Sequence, residues 1–515
     1  MAPISSFESI LFDGPAPDEP TSREPPAYFA DLRLDDVVGS ITAGREAHDL
    51  APFFQARLTD RSAIAYRHEV FRDLETTPCL EAVQAFATGM ADVREHLAHA
   101  GRAHYPYEAD HWFLEAADGY VATARRLSVD LEQTAPRSRG LAALTGYLAV
   151  YVGSEAFDRL ATEVASVKAE LATIRYRLRI SGRRVHVSRV AEQEPDYGAE
   201  VLSTFEKFKQ GAGTDYAFKS PEWPDLNHVE AAILDLVARL FPDAFARLSG
   251  FHRRHRDLVD PTVARFDREV QFYVAYLEHI GRLRRAGLPF CYPDLTDRSK
   301  AIHGHEVFDL ALAAKLTADH SRTVTNDFSL RGPERILVVS GPNSGGKTTF
   351  ARTIGQLHHL AEIGAPVPGR AARLFLVDQI HTHFEREESV EELSGKLEDD
   401  LRRIRRILEL ATPDSLLVMN ESFASTTVRD QLSIGRQVLA SIIARGMLCV
   451  VVTFLDELSA LGPSTVSLVA AVDPEEPARR TFRIERRPAD GLAYAMAIAE
   501  KHHLTYPSVK ARVAP

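Results

Sequence analysis

The spacing of apolar residues along the chain changes twice, and each change marks a different kind of structure. Between about residue 28 and residue 170, apolar positions recur every three or four residues, as at Ala63, Tyr66 and Val70. The same spacing returns from 229 to 285. This period is typical of amphipathic helices that pack through one face. The N-terminal half is therefore predicted to be mostly helical.

A period of two residues interrupts the helical pattern at 174–190, IRYRLRISGRRVHVSRV, around the pair Ser181-Gly182. Alternation on both sides of a short turn predicts a β-hairpin. The segment has six arginines and no acid, so one face is a candidate contact for the phosphate backbone of DNA. The alternative is a solvated face whose arginines pair with acids elsewhere. The candidate DNA-binding residues are Arg175, Arg177, Arg179, Arg183 and Arg184.

After Pro289 the pattern changes again, to short apolar runs rich in β-branched residues that are separated by helical stretches. The runs lie at 336–340, 374–378, 416–420 and 449–453. Alternating strands and helices predict a parallel sheet covered by helices. A domain boundary is therefore expected between about 290 and 325.

Composition supports a globular protein of several domains, with 45% hydrophobic and 26% charged residues. The formal net charge is −11, so any DNA contact has to come from local basic patches. The longest apolar stretch, 140–153, is shorter than the roughly 20 residues that span a bilayer. No secretory signal is recognisable at the N-terminus, where residues 13–29 carry five prolines. We therefore expect a flexible leader, a cytoplasmic location and no membrane partner.

A phosphate-binding loop follows the first of these predicted strands. The run GPNSGGKT at 341–348 matches G-x-x-x-x-G-K-[ST] between a strand and a helix. In such a loop the backbone N–H groups surround phosphate oxygens, the lysine reaches the β and γ phosphates, and the hydroxyl can bind Mg²⁺. A chance match is the alternative. The predicted nucleotide-binding residues are Gly341, Pro342, Asn343, Ser344, Gly345, Gly346, Lys347, Thr348 and Thr349.

A second polar strand end lies at Asn420-Glu421, after the apolar run 416–419. Glu421 is predicted to orient or deprotonate the attacking water, so Glu421 and Lys347 are the candidate catalytic residues. Asn420 occupies the place of the usual aspartate and offers Mg²⁺ a neutral amide oxygen. Thr348 and Asn420 are the predicted metal residues, with weak affinity. Alternatively, Glu421 only caps the strand end.

Two segments resemble the ATPase core of the MutS DNA mismatch-repair family. They are GPNSGGKTTFARTIGQLHHLAEIGAPVPG and NESFASTTVRD, and the likeness is strong over 336–460. It implies an α+β multidomain fold in which a helical core and lever domain precedes a P-loop α/β ATPase domain of the ABC type. The implied domains are a leader at 1–27, a core and lever domain at 28–320 with a small β-containing clamp-like insertion at about 172–225, and an ATPase domain at 321–515 with C-terminal dimerisation helices.

The resemblance also assigns further residues to the nucleotide. Asn326 falls in the segment that contacts adenine in the family. Ser394 and Gly395 fall in the segment that one subunit offers to its partner's nucleotide, although they also fit an ordinary helix cap. The family's Thr-His sensor of the γ phosphate is Thr453-Phe454 here. The loss of this histidine, together with Asn420, predicts slow ATP hydrolysis.

The function that the resemblance implies is an ATP-gated dimeric clamp on duplex, mismatched or branched DNA. It would act in mismatch repair or recombination. The chain starts near the core domain and offers no Phe-x-Glu wedge, so the resemblance implies general DNA binding and not a direct reading of mismatches. ATP and Mg²⁺ are the expected cofactors, and a second copy and a repair protein are the expected protein partners. The alternatives are a nucleotide-dependent protein scaffold and a structure-specific nuclease, for which no added domain is visible before Pro515.

Overall fold

A computed structural model describes residues 7–14, 24–182, 184–190, 226–385, 395–473, 475 and 479–489. It is a mixed α/β structure that divides into two compact units. Unit 1 comprises 1–7, 78–136 and 142–267, and unit 2 comprises 8–77, 137–141 and 268–515. Arg183, Ser394, most of the predicted leader, most of the predicted insertion and the predicted dimerisation helices lie outside the described residues. The domain boundaries near 27 and 320 stay predictions.

The helices are α1 Phe29–Leu32, α2 Leu34–Thr42, α3 Ala51–Gln55, α4 Arg61–Leu74, α5 Thr77–Arg102, α6 Pro106–Thr134, α7 Arg139–Val152, α8 Glu155–Ala172, α9 His228–Leu240, α10 Pro242–Arg254, α11 Pro261–Arg285, α12 Leu310–Ala318, α13 Lys347–Glu362, α14 Lys396–Leu410 and α15 Val428–Arg445. The strands are β1 Tyr176–Ser181, β2 Arg184–Arg189, β3 Phe290–Cys291, β4 Asp294–Thr296, β5 Ile302–Val307, β6 Asn326–Leu330, β7 Ile336–Ser340, β8 Val367–Pro368, β9 Ala371–Phe375, β10 Ile380–Phe384, β11 Leu416–Asn420, β12 Leu448–Val452, β13 Thr465–Val472 and β14 Arg480–Arg486.

Unit 1 is built from helices and one hairpin. The helical period predicted for its part of the chain is confirmed, because the apolar faces of α6, α8 and α10 bury residues such as Phe113, Phe157 and Phe251. Side-chain caps fix where two of these helices begin. The Ser154 hydroxyl accepts from the N–H of Phe157 at the start of α8, and Asn227 forms a capping box with Glu230 at the start of α9.

Unit 2 contains a six-stranded sheet in the order β10-β11-β12-β7-β13-β14. All neighbours are parallel except β13 and β14. Every residue of β7 and β12 is buried, as expected for central strands of a parallel sheet that is covered on both faces. The strands predicted at 336–340, 416–420 and 449–453 lie side by side in this sheet, which confirms their parallel arrangement.

The prediction that 374–378 joins the same sheet is wrong. The strand there is β9, which begins at Ala371, ends at Phe375 and belongs to a four-stranded sheet in the order β4-β9-β5-β6. It pairs parallel with β4 and antiparallel with β5. The edge strand next to β11 is instead β10. An apolar run shows that a strand is buried but not which sheet buries it.

None of the described helices is long and apolar enough to cross a membrane. Cys79 and Cys449 are buried and Cys291 is partly buried, and all three are free thiols.

Candidate nucleotide-binding site

The loop from Gly341 to Gly346 joins the central strand β7 to α13. Gly341 and Gly346 have φ values of 114° and 91°, and Ser344 is also left-handed at 56°. A Cβ at Gly341 would lie 3.0 Å from the backbone nitrogen of Ala470 in β13. Glycine is therefore needed at Gly341 for both its backbone conformation and its close approach to the neighbouring strand. These constraints keep the loop tight and its N–H groups close to the start of α13.

A cavity of 420 Å³ lies against this loop. Residues 343–350 line one part of it, and the apolar side chains of Leu312, Leu316 and Val324 line another. Glu421 and Phe482 also line the cavity. A site that combines a polar loop at a helix N-terminus with an apolar wall suits a ligand with phosphates and a flat apolar group.

Lys347 is buried at the start of α13, where its ammonium is in contact with two carbonyl oxygens and an aromatic ring. Its Nζ donates to the carbonyl oxygens of Gly341 and Pro342, at 2.9 and 3.0 Å. It also lies 4.3 Å from the centre of the Phe454 ring. Burial lowers the pKa of Lys347, while the Glu421 carboxylate acts in the opposite direction. An anionic phosphate oxygen would be a stronger partner than any of these neutral groups.

Thr348 and Asn420, the two predicted metal residues, are in contact. The Thr348 hydroxyl donates to the amide oxygen of Asn420 at 2.8 Å. Both side chains offer oxygen atoms, which are the ligands that Mg²⁺ prefers, but neither carries a charge. The pair therefore fits Mg²⁺ held mainly by nucleotide phosphates and water.

Glu421 stands directly after β11 in a left-handed conformation, with φ 51°. Its backbone N–H still donates to the Val452 oxygen at 3.0 Å, so the residue stays attached to the sheet. Among the described residues, its carboxylate accepts no hydrogen bond and forms no ion pair. A non-glycine residue with positive φ at a cavity wall is a marker of functional positions. The carboxylate is thus available to a water molecule in the cavity, and the catalytic role of Glu421 stays a prediction.

Asn326 lines the cavity, but both ends of its side chain are engaged by β14. Its Nδ2 donates to the Phe482 oxygen at 3.1 Å, and its Oδ1 accepts from the N–H of Ile484 at 2.7 Å. The side chain therefore fixes β14 beside β6. Its contact with adenine stays a prediction.

Two functional candidates on β14 were missed by the sequence reasoning. Phe482 lines the cavity next to Gly346, with a left-handed φ of 58°. Arg480 donates to the carbonyl oxygen of Asn343 in the loop at 3.1 Å, and its charge lowers the pKa of Lys347. Neither carries a local sequence signal, because only the β13–β14 pairing brings them to the loop.

Gly395 is at the N-cap of α14, and no side-chain cap bond is formed there. Lys396 follows and donates to Glu385 at 2.7 Å. Because Ser394 lies outside the described residues, the contribution of this segment to a partner's nucleotide stays a prediction.

The arginine-rich hairpin lies in unit 1, and its strands pair in a register that separates two faces. Arg177 is opposite Ser188, Arg179 is opposite His186, and Ser181 is opposite Arg184. Paired residues share a face, so Arg177, Arg179 and Arg184 lie on one face. Arg179 and Arg184 are exposed. Arg175, by contrast, donates to the backbone oxygens of Ala172 and Ile174.

Comparison with known proteins finds similarity to one family in the part of the chain that contains the nucleotide site. The family model "MutS domain V" matches residues 337–505. The endonuclease MutS2 of Thermus thermophilus is 31% identical over 180 residues, which is 35% of this chain and 24% of that protein. DNA mismatch repair protein MutS 1 of Halobacterium salinarum is 38% identical over 115 residues, 22% of this chain and 13% of that protein. Mouse Msh3 is 28% identical over 149 residues, 28% of this chain and 13% of that protein.

The match thus spans about a quarter or less of each relative's length. It nevertheless contains the strand, the phosphate-binding loop, the helix and the acidic strand end that build the cavity. Residues 337–505 match the family model of MutS domain V, and this region is similar to the corresponding region of MutS-family proteins.

Proposed function

We propose that this protein is an ATP-dependent DNA-binding protein that acts as a nucleotide-gated dimeric clamp in mismatch repair or recombination and hydrolyses ATP slowly. The observation that carries the proposal is the 420 Å³ cavity in which the phosphate-binding loop, Glu421 and an apolar wall meet. The names of the relatives associate them with DNA mismatch repair and with endonuclease activity. They support a role in DNA repair at the level of the family.

Different residues of the cavity bind the phosphates, hold Mg²⁺ and activate the attacking water. The N–H groups of the loop and the start of α13 bind the phosphates, and Lys347 exchanges its carbonyl partners for the β and γ oxygens. Thr348 and Asn420 would hold Mg²⁺, which neutralises charge on the β and γ phosphates when it is bound. Glu421 accepts a proton from the attacking water, since its carboxylate has no competing partner among the described residues.

Slow hydrolysis follows from two neutral side chains beside the phosphates. Asn420 lacks the charge of a carboxylate next to Thr348. Phe454, whose ring lies against Lys347, cannot donate a hydrogen bond to a phosphate oxygen. Removing a single donor that stabilises transition-state charge commonly costs about 10² to 10³ in rate. A slow ATPase suits a switch in which bound ATP holds one arrangement and hydrolysis releases it.

Calorimetric titration with ATP and steady-state ATPase assays test the enzymatic part. The unchanged chain should bind ATP and turn over more slowly than about once per second, near the low end of typical enzyme rates. Lys347→Ala should lose affinity, whereas Glu421→Gln should keep affinity and lose turnover. No heat from ATP, or undiminished turnover in Glu421→Gln, would contradict the assignment.

DNA binding is tested with homoduplex, mismatched and four-way-junction DNA, each with and without ATP. A gated clamp should bind DNA with an affinity that depends on ATP in the unchanged chain but not in Lys347→Ala. If the affinity for DNA does not depend on ATP, or if no DNA binds even at low salt, the protein scaffold is favoured instead. The same mixtures, incubated with Mg²⁺ or Mn²⁺ and analysed for strand breaks, test the nuclease alternative.

A further inference from the structure

A second cavity, with a volume of 840 Å³, lies in unit 2 and shares part of its lining with the nucleotide cavity. Asp309, Leu312 and Thr349 line both. The remaining lining of this second cavity comes from Arg33 and α2, from the end of α11, from α12 and from Arg352 in α13. It is therefore next to the ATP site but is built mostly from residues that the ATP site does not use.

The lining of the second cavity has an excess of positive charge. Four cationic side chains contribute to it, Arg33, Arg282, Lys315 and Arg352, against the two carboxylates Asp36 and Asp309. Arg33 is 3.5 Å from Asp36, and Asp309 accepts from the N–H of Leu312 as the cap of α12. Thus the two acids already have partners.

Arg282 and Lys315 are the cations available to a ligand. Within the described part of the chain, neither side chain forms an ion pair or a hydrogen bond. Both are exposed, at the last turn of α11 and the last turn of α12. Two such cations from two helices that line one cavity form a suitable contact for an anion that carries more than one charge.

A buried imidazole in the same cavity supplies an independent indication of a ligand. His279 is only 4% exposed, and its Nδ1 lies 3.4 Å from the Ser40 hydroxyl. Its Nε2 has no hydrogen-bond partner among the described residues. Burial and Arg282 lower the pKa of His279 to about 4, so the ring is neutral near pH 7. When Ser40 donates to Nδ1, the ring proton is on Nε2, a buried donor that has no partner among the described residues.

We infer that this second cavity binds a small phosphate-bearing molecule, distinct from the ATP of the loop, through Arg282 and Lys315 and beside the ring of His279. The apolar side chains of Leu283 and Leu312 leave room for an uncharged part of the ligand. Because Leu312 and Thr349 also line the ATP cavity, the second ligand and ATP influence each other's affinity to the same degree.

The test uses the full chain saturated with a non-hydrolysable ATP analogue, so that the loop is occupied, and titrates inorganic pyrophosphate by calorimetry. We expect one further binding event, with an affinity that Arg282→Ala lowers about tenfold, as loss of one charged hydrogen bond would. Arg285→Ala is the matched control, because Arg285 is exposed on the same last turn of α11 but does not line the cavity. Equal losses in the two variants, or no binding event, would overturn the inference.

A spectroscopic readout separates direct contact from a general charge effect. In a chain labelled with ¹⁵N-histidine, pyrophosphate should shift the His279 imidazole signal, which His279→Gln identifies. An unshifted His279 signal at saturating pyrophosphate would also overturn the inference. A repeat with guanosine diphosphate shows the source of the phosphate, since tighter binding than pyrophosphate indicates a nucleotide and weaker binding an inorganic anion. Titration of the analogue alone tests ATP binding separately.

Discussion

At the scale of single residues, Lys347 is held by contacts that ATP has to replace, and one of them is an aromatic ring. Phe454 and Phe482 are almost equally exposed, at 49% and 48%. Phe454 lies under the lysine ammonium, whereas Phe482 lies next to Gly346. Phe482 can therefore serve as a control for Phe454, because it is an aromatic residue of the same exposure without the cation–π contact.

We expect Phe454→Leu to tighten ATP binding about threefold, because an exposed cation–π contact stabilises the resting lysine by about 0.5–1 kcal/mol. Phe482→Leu should not tighten it, since Phe482 does not contact the ammonium and lines the cavity instead. Calorimetric dissociation constants for ATP measure both effects. If both variants bind ATP more tightly, or if neither does, the Phe454 ring does not stabilise the resting position of Lys347.

Asn420→Asp should strengthen Mg²⁺ binding in the nucleotide complex by at least about tenfold, because it adds a negative charge 2.8 Å from the Thr348 hydroxyl. The Thr348 hydrogen bond is kept, since a carboxylate oxygen also accepts. ATP titrations at a series of Mg²⁺ concentrations measure the effect. Asn343→Asp places the same charge elsewhere in the loop and should weaken ATP binding. If the two variants respond alike to Mg²⁺, Asn420 is not a metal residue.

At the scale of elements, α13 is unusual because almost every residue from Phe350 to Glu362 is buried. Several of its polar residues form buried hydrogen bonds inside unit 2. The His359 ring is fixed by Tyr28, whose hydroxyl is 3.1 Å from Nδ1, and by the Phe54 oxygen, 2.8 Å from Nε2. Glu362 accepts from Arg57 and from the N–H of Val377. The helix that carries the P-loop lysine is thus held in place by buried polar contacts.

Burial lowers the pKa of His359 to about 3, from an ordinary value of 6.5. As the pH falls, His359 is therefore protonated in the unfolded chain before it is protonated in the folded chain. The stability that neutral His359 contributes is present above pH 6.5 and is lost as the pH falls below it. Between pH 7 and pH 5 this loss is about 2 kcal/mol. We expect the free energy of unfolding, measured with urea, to fall between pH 7 and pH 5 by about 2 kcal/mol less in His359→Gln than in the wild type.

The comparison between wild type and His359→Gln removes other titrations from the result. Burial raises the pKa of Glu362 to about 7, so that group acts in the opposite direction, with stability lost as the pH rises from about 4.5 to 7. It is present in both proteins and cancels in the difference. Identical pH dependence in the two proteins would show that His359 is not buried in its neutral form.

The elements differ in how far the sequence could predict them. Helices with one apolar face, the hairpin at 174–190 and the central strands β7, β11 and β12 were predictable, because local periodicity or a motif reports their burial. The assignment of 374–378 to the central sheet failed, since β9 and a central strand have the same apolar pattern. The helix α13 was predicted from the preceding loop motif, but its burial on almost all sides was not, because its sequence includes polar residues such as His358 and Glu362.

At the scale of the whole molecule, the site could be predicted only where it is contiguous in the chain. The loop residues Gly341 to Thr349 and the strand end at Asn420 and Glu421 follow from motifs. Arg480 and Phe482 are more distant, and they reach the loop because β14 pairs antiparallel with β13, beside β7. Pairing of a strand this far along the chain is decided by tertiary packing, which no local pattern reports.

The whole molecule has a net charge of −11, so DNA has to bind to a local basic surface. The basic face of the hairpin is such a surface. Arg179 and Arg184 are exposed on the same face. If they contact phosphates, replacing both by alanine should reduce the slope of log affinity against log salt by about 2 and weaken binding to all sequences similarly.

The control for this prediction is Arg402→Ala with Arg405→Ala on α14. It removes the same two charges from exposed arginines that are paired with Glu398 and Glu409. Fluorescence anisotropy with a labelled duplex at several salt concentrations measures both double variants. Because long-range attraction depends on net charge, both should weaken binding slightly, but only a phosphate contact changes the salt slope by a whole unit per residue. If the two double variants have equal salt slopes, the hairpin arginines face solvent and DNA binds to another surface.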